Sequence, residues 1–393
     1  MKLGKRKKQR NNKMDTESMK KVILYCDHWQ NGGVESYLMN QLRHWDLSQM
    51  ECTLLSAEKT TDIYDAELKA LGVRQHVLLQ GEKASPILRI LQTFSRFKRY
   101  IYEHPCDVVY LNLTNSVTMR YARIAREAGV TRRVVHSHCA GIQPGFTRPF
   151  KQLAHSLAKR LYTNCATDWW ACSDKAAEFL FDAKVLPKVR YVPNAIQVER
   201  FAFDSSARKK TREELGVKEN ERLIGTVGRC TPHKNQSFLL EAFALALKQN
   251  PALKLLLVGD GPLRASLEDQ SKKLGIEHAC IFYGFTDNVA PFYSAMDLFC
   301  LTSVLEGNPV SAIEAQANGC PCLLSDQITK QADAGGHVRF LPIHSPLVWS
   351  SSLVEHFRTE NQMGGCTILP QYNIEQSAIK LQENLCFVVD PEL

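Results

Sequence analysis

Leu253-Lys-Leu-Leu-Leu-Val-Gly-Asp-Gly-Pro262 is the stretch on which the fold turns. Five of its first six residues are apolar, and the run stops at a Gly-Asp-Gly turn. A strand with one face in water alternates polar and apolar residues, whereas a strand covered by helices on both faces reads as an unbroken apolar run. The pattern recurs upstream in Leu223-Ile-Gly-Thr-Val-Gly-Arg229 and downstream in Ala279-Cys-Ile-Phe-Tyr-Gly-Phe285, Met296-Asp-Leu-Phe-Cys-Leu301 and Cys320-Pro-Cys-Leu-Leu-Ser325. Helical periodicity fills the intervals at Ser237 to Gln249, Leu263 to Leu274 and Val289 to Ala295. Strand and helix alternate throughout, which predicts a doubly wound α/β unit whose strand ends and following loops carry the site.

One such loop is Glu306-Gly-Asn-Pro-Val-Ser-Ala-Ile-Glu314. Asn308 is expected to cap a helix with its side-chain oxygen, Pro309 suits the first helical position, and Gly319 suits a left-handed end. The spacing predicts a helix over Val310 to Asn318. Its free N–H groups, in front of Gly307, would seat a phosphate. Carboxylates accept paired hydrogen bonds from vicinal diols, so Glu306 and Glu314 suit a sugar and a ribose. Alone, the spacing more often marks two solvated acids around an ordinary capped helix. Arg229 and Lys234 follow the Leu223 strand, and both suit a diphosphate, one as a planar fork and one as a mobile point charge.

The first half repeats the plan. Lys21-Val-Ile-Leu-Tyr-Cys26 reads as a first strand running into Asn31-Gly-Gly-Val-Glu35, where Gly32 and Gly33 open a helix near Val34 and permit close approach of a ligand. A lone Gly-Gly more often marks an ordinary turn. Asp107-Val-Val-Tyr-Leu-Asn-Leu113 and Arg133-Val-Val-His-Ser-His138 are further strands. His136 and His138, two apart, share a face if the strand persists. Without context they read as structural histidines, and with Cys139 they are too poorly spaced for a closed zinc site. No metal site is expected.

At 393 residues, with 44% hydrophobic and 23% charged side chains, the chain exceeds one ordinary core. We expect a basic disordered tail at 1–20, one domain at 21–200, a second at 201–370, and a C-terminal helix at 371–393 crossing back to the first. The net charge is +8, yet seven cations and no acid stand in the first 13 residues. Without them 42 basic residues face 41 acidic ones, so the basicity belongs to the tail. Lys2 to Lys13 suits an anionic membrane surface or a solvated start, and nucleic acid is not expected as a partner. In Ile87 to Tyr102 the stripe Ile87, Leu91, Phe94, Phe97 and Ile101 reads as core, while Arg89, Arg96, Lys98 and Arg99 beside it suit an interface. Thirteen cysteines, an odd count spread through strands and helices, read as reduced thiols of a cytoplasmic protein. No apolar run reaches the roughly 20 residues that span a bilayer.

Taken together, Gly228-Arg229 with Lys234, Leu256-Leu-Val-Gly-Asp-Gly-Pro-Leu263, Gly284-Phe-Thr-Asp-Asn-Val289, Met296-Asp-Leu-Phe299, Glu306-Gly-Asn-Pro-Val310 with Glu314-Ala315, and Gly319-Cys-Pro321 resemble the retaining GT-B glycosyltransferases of family four, the group 1 glycosyl transferases. Ser325-Asp-Gln-Ile-Thr-Lys330, Phe340-Leu-Pro-Ile343, Ala171-Cys-Ser173 and Val192-Pro-Asn-Ala-Ile196 resemble its capsule and exopolysaccharide branch. The likeness covers residues 21 to 385.

The resemblance implies two Rossmann-like domains facing across a cleft. It implies sugar transfer with retention from a nucleoside diphosphate donor, a UDP-sugar, to a saccharide or lipid-linked saccharide, without metal or cofactor. Glu306 would bind the donor sugar, Glu314 the ribose, and Gly284 and Phe285 the base. Arg229, Lys234 and the backbone of Gly307, Asn308, Pro309 and Val310 would hold the diphosphate. Gly32 and Gly33 would touch donor or acceptor, and one of His136 and His138 the transferred sugar. The enzyme would be cytoplasmic and peripheral at the inner face of the cell membrane. Two alternatives stay open: a nucleotide-sugar epimerase of the same fold, and a nucleotide-sugar-binding protein without turnover.

Overall fold

A computed structural model describes residues 19–30, 32–81, 85–142, 147–358 and 368–386. The basic stretch Lys2 to Lys13, Asn31 and the end of the 371–393 segment lie outside the described residues.

Seven parallel strands form the first sheet: β1 (Lys20–Trp29), β2 (Met50–Lys59), β3 (Arg74–Val77), β4 (Val108–Leu113), β5 (Arg132–Ser137), β6 (Asp168–Ala171) and β7 (Arg190–Tyr191), in the order β3-β2-β1-β4-β5-β6-β7. Six more form the second: β8 (Arg222–Val227), β9 (Leu253–Val258), β10 (Cys280–Gly284), β11 (Leu298–Leu301), β12 (Cys322–Ser325) and β13 (Val338–Leu341), in the order β10-β9-β8-β11-β12-β13. Each sheet reverses its winding once, between β1 and β4 in the first and between β8 and β11 in the second. The crossover helices on either side of such a point diverge to opposite faces and leave a crevice at the carboxyl ends of the strands.

The deciding stretch behaves as its composition requires. Leu255 and Leu257 face one core with Leu239 and Phe243 of the helix Gln236–Leu247, and Leu256 and Val258 face the other with Ile313 and Tyr293. Burying each such side chain stabilises the fold by about 2 kcal/mol. Lys254, the one polar residue, reaches the sheet end and donates to the His278 carbonyl at 3.1 Å. In the first sheet Ile23 and Tyr25 pack with Phe94 and Phe97, whereas Val22, Leu24 and Cys26 meet Leu38 and Leu42 of the helix Gly33–His44. The last helix, Ile374–Cys386, buries Ile374, Ala378, Leu381 and Leu385 in that second layer, so chain that follows the second sheet completes the first. A two-way bridge brings it there: Ile196 N–H donates to the Tyr372 carbonyl at 2.8 Å and Ile374 N–H to the Ile196 carbonyl at 2.9 Å.

The stripe expected as core over Ile87 to Ile101 divides. Phe94, Phe97 and Ile101 are core, but Ile87 and Leu91 are exposed. The helix Pro86–Glu103 meets the sheet with its second half, through Phe94, Phe97 and Ile101, while its first turns carry Ile87 and Leu91 outward.

Candidate active site

The loops after β8 and β9 interlock through backbone alone. A Cβ on Gly259 would lie 2.2 Å from the Gly228 carbonyl oxygen, and Gly259 has φ +136°, where a side chain is strained in any case. Gly228 N–H donates to the Val258 carbonyl and Cys230 N–H to that of Asp260, each at 2.9 Å. This packing leaves Arg229 exposed and routes the Lys234 side chain along Gly228. Its Nζ ends 2.6 Å from Glu306 Oε1, with both side chains mostly buried. Ser303 Oγ donates to the same oxygen at 2.7 Å. The β11 strand end is tied to the Lys234 loop as well: Thr302 Oγ1 donates to the Asn235 carbonyl at 2.9 Å and Val304 N–H to that of His233 at 2.8 Å. Lys234, Glu306 and Ser303 are therefore one rigid assembly between two strand ends.

Glu314 lies within the helix Val310–Ala317 and accepts from the Tyr293 hydroxyl at 2.7 Å. Burial holds its carboxyl above the usual range, opposed by the Tyr293 hydrogen bond and by the charges of Arg200 and Lys234. The helix ends as expected: Gly319 has φ +80°, its N–H meets the Gln316 carbonyl at 2.9 Å, and Cys320 N–H meets that of Ala315 at 3.0 Å. Its start differs. Pro309 occupies the cap position with no side-chain cap bond, and Val310 is the first helical residue. Asn308 turns away and accepts from Asn194 N–H at 3.2 Å, while its carbonyl accepts from Asn194 Nδ2 at 3.2 Å. Asn308 thus joins the two domains rather than capping a helix.

Gly307 makes the other crossing. A Cβ there would lie 2.4 Å from the His138 carbonyl oxygen, so only glycine lets the glutamate loop touch the end of β5. Asp174 adds two bonds across the cleft, to Thr329 at 2.5 Å and from its own N–H to Gln331 at 2.8 Å.

On the first-domain wall the two histidines have different situations. His136 is fully buried, with Nδ1 at 2.6 Å from the Tyr110 hydroxyl, which lies 2.8 Å from that of Tyr37. His138 stands one residue past β5 and is partly exposed. Its Nε2 lies 2.9 Å from Asn112 Oδ1, and Asn112 Nδ2 donates to the Tyr25 and Tyr110 carbonyls. The amide oxygen can only accept, so His138 carries its proton on Nε2 and keeps Nδ1 as an acceptor. Burial pushes the His138 imidazole down to about 3 and that of His136 well below its ordinary value, helped for His136 by the neighbouring ring 4.0 Å away. Both are neutral at physiological pH.

The structure thus brings Lys234, Glu306, Gly307 and His138 to one place. Gly284 and Phe285 stand at the end of β10, Phe285 exposed, and Gly284 reaches the site loops through the Gly259 N–H, 2.8 Å from its carbonyl. Gly32 precedes the helix Gly33–His44 with no side-chain cap. Glu35 folds back over it, with Oε2 at 2.6 Å from where a Cβ would be, and burial raises that carboxyl to about 7. Gly33 faces open space. Neither glycine contacts the Lys234–Glu306 pair through a hydrogen bond among the described residues. Ser303, Tyr293 and Asn112 escaped the sequence reading. Their one signal is position, since Ser303 and Asn112 stand at or just beyond the ends of switch-point strands.

A two-domain parallel α/β molecule with a charged cluster at the second switch point, closed against the first domain, defines the GT-B class of glycosyltransferase. The comparisons agree. Residues 207–336 match the family described as Glycosyl transferases group 1, and residues 32–195 match the Glycosyl transferase 4-like domain. EpsF of Bacillus subtilis, which bears a glycosyltransferase name, is 31% identical over 86% of this chain and 87% of its own. An Escherichia coli UDP-Gal:alpha-D-GlcNAc-diphosphoundecaprenol alpha-1,3-galactosyltransferase is 30% identical over 75% of this chain and 76% of its own. Anabaena HepE, solved with UDP and glucose, superposes with a TM-score of 0.69 at 18% identity, covering 94% of this chain and 96% of its own. The chain belongs to the group 1 glycosyltransferases.

Proposed function

We propose that the chain transfers a sugar, with retention, from a UDP-sugar to a saccharide or lipid-linked saccharide in capsule or exopolysaccharide synthesis, independently of metal. The observation that carries this reading is the Lys234–Glu306 pair at 2.6 Å, which Gly307 brings against the end of β5. Cleaving the bond from the anomeric carbon to the β-phosphate oxygen leaves negative charge on the diphosphate and positive charge on the sugar. Electrostatic stabilisation of that leaving group is then the largest task.

Lys234, Arg229 and the first N–H groups of the helix Val310–Ala317 are the donors for it. Donor entry would exchange the Glu306 carboxylate on Lys234 for phosphate oxygens and free Glu306 for sugar hydroxyls. Glu314 would take the ribose diol, and Gly284 with Phe285 the base. His138, neutral and with Nδ1 accepting, would receive a hydrogen bond from the transferred sugar, whereas His136 supports the wall through Tyr110. Retention requires the acceptor hydroxyl to enter on the face the diphosphate leaves, so its proton passes to the departing phosphate oxygen.

The first domain, 21–200, would form the acceptor side and 201–370 the donor side, with 371–393 crossing back. UDP is favoured by the names of the galactosyltransferase relative and of the HepE complex, and a lipid-linked acceptor by the former. A place at the inner face of the membrane, aided by Lys2 to Lys13, suits such an acceptor. No helix among the described residues is long and apolar enough to cross a membrane. The test is a panel of nucleotide sugars with and without membrane lipid extract, read as nucleoside diphosphate release. Release that depends on the extract supports the transferase. Epimerised donor without acceptor, or binding without turnover, overturns it.

A further inference from the structure

Asn112 is an amide inside a buried strand. β4 is buried from end to end, and Asn112, 1% exposed, pairs with Cys26 of β1 on one side and His136 of β5 on the other. A buried amide costs the fold stability unless its nitrogen and its oxygen both find partners. The nitrogen donates to the Tyr25 and Tyr110 carbonyls at 3.3 and 3.4 Å. These two acceptors decide the orientation of the amide, because the reverse would set its oxygen against two carbonyl oxygens. The oxygen therefore turns to His138 and lies 2.9 Å from Nε2, the shortest of the three contacts. A tie between β1 and β4 needs only the nitrogen. It gives no reason for an acceptor at His138.

His138 is held at every other point. Its N–H donates to the Leu113 carbonyl at 3.0 Å, its own carbonyl abuts Gly307, and its ring packs on those of Tyr37 and His136, with centroids 4.9 and 4.0 Å away. What remains to be fixed is its proton. An acceptor-only partner at Nε2 holds the proton there and leaves a lone pair on Nδ1, to which no described residue donates. At its open nitrogen this imidazole can only accept.

We infer that Asn112 is a positioning residue, which fixes the His138 tautomer and so makes the first-domain wall select an uncharged donor sugar that presents a hydroxyl to Nδ1. The inference rests on the transferase reading above and adds a substrate class to it. A hydroxyl donates to Nδ1 and leaves both groups satisfied. The carboxylate of a hexuronate can only accept, so it would meet the Nδ1 lone pair and the Glu306 carboxylate, while Lys234 and Arg229 serve the diphosphate. Burial keeps both imidazoles of the wall neutral, so neither supplies a charge to relieve that repulsion.

The test uses the full-length protein and calorimetric titration with UDP, with UDP-glucose against UDP-glucuronate, and with UDP-galactose against UDP-galacturonate, the tighter-binding pair being compared. Wild type should bind the hexuronate roughly tenfold or more weaker than the hexose, the cost of an acceptor left without a donor. Asn112→Ala should weaken the UDP-hexose about fivefold and leave UDP within about twofold. On a His138→Ala background it should add less than about twofold, because it acts through the imidazole. An amide that only joins strands would weaken both ligands alike, or neither, and would add its effect to that of His138→Ala.

If Asn112→Ala does not fold, nitrogen NMR of wild type decides. The His138 signals, assigned by their loss in His138→Gln, should show a protonated Nε2 and a bare Nδ1. A proton on Nδ1, equal affinity for hexuronate and hexose, or an additive double variant overturns the inference and leaves the transferase reading standing. Absence of product from every nucleotide sugar would remove the transferase reading, and the binding and NMR results would still decide the role of Asn112.

Discussion

The two walls of the cleft are built from opposite materials. On the second-domain wall Lys234 and Glu306 remain a charged pair at 2.6 Å, braced by Ser303 and by β8 and β11 strand ends. On the first-domain wall Tyr37, Tyr110, His136, Asn112 and His138 form neutral hydrogen bonds, with both imidazoles held uncharged by burial. A charged wall facing a neutral one separates two tasks. Diphosphate needs fixed cations that stabilise the charge it gains as it leaves, whereas a sugar hydroxyl needs oriented acceptors and donors that do not compete for that charge.

The strongest way to break this comparison is Lys234→Ala. Turnover should fall roughly 100-fold or more while circular dichroism remains that of the folded chain, since removal of one preorganised donor to a developing oxyanion has that size of effect. A near-normal rate would put the leaving group elsewhere.

The neutral wall is tested by pH. His138 has a folded value of about 3 and an ordinary value near 6.5, so below pH 6.5 the unfolded chain binds the proton that the folded chain refuses. Stability is therefore complete above pH 6.5 and declines as pH falls, with a cost of about 2 kcal/mol at pH 5 from this residue. His136 acts in the same direction. Glu35, raised to about 7, acts oppositely: the folded chain holds its proton longer, so its contribution favours the fold at low pH and falls away as pH rises toward 7. Denaturant midpoints for wild type and His138→Gln between pH 5 and 7 read the histidine contribution directly. The variant should lose less stability than wild type as pH falls, and parallel slopes would mean that the imidazole titrates in the fold as it does in the unfolded chain.

Ser303→Ala should sharpen the picture with the smallest effect. Its loss frees Glu306 from one neutral hydrogen bond, so turnover should drop about fivefold, with the donor KM changed less than kcat. Rescue by Ser303→Thr should restore most of the rate, and an unaffected alanine variant would show that Lys234 alone orients the carboxylate.

Local chemistry was legible in the sequence where the partner lay nearby. The strand Leu253–Val258, its Gly259 stop and the left-handed Gly319 each follow from a few adjacent residues. Asn308 did not, because its oxygen goes to Asn194, 114 positions away, and a cap is only the nearest use for an asparagine before a proline. The roles of His136 and His138 were equally hidden, since strand alternation gives them one face and only the strand end and Tyr110 divide them. Ile87 and Leu91 fit a helical stripe whose period says nothing of which turns of the helix meet the sheet.

Calorimetric titration of full-length Lys234→Ala and His138→Ala with UDP and with an intact UDP-sugar reads both walls in one experiment. Loss of Lys234 should weaken both ligands by similar factors, whereas loss of His138 should weaken the UDP-sugar by roughly tenfold and leave UDP within about twofold of wild type. UDP affinity that falls as far with His138→Ala as with Lys234→Ala would contradict the division of the cleft into a diphosphate wall and a sugar wall.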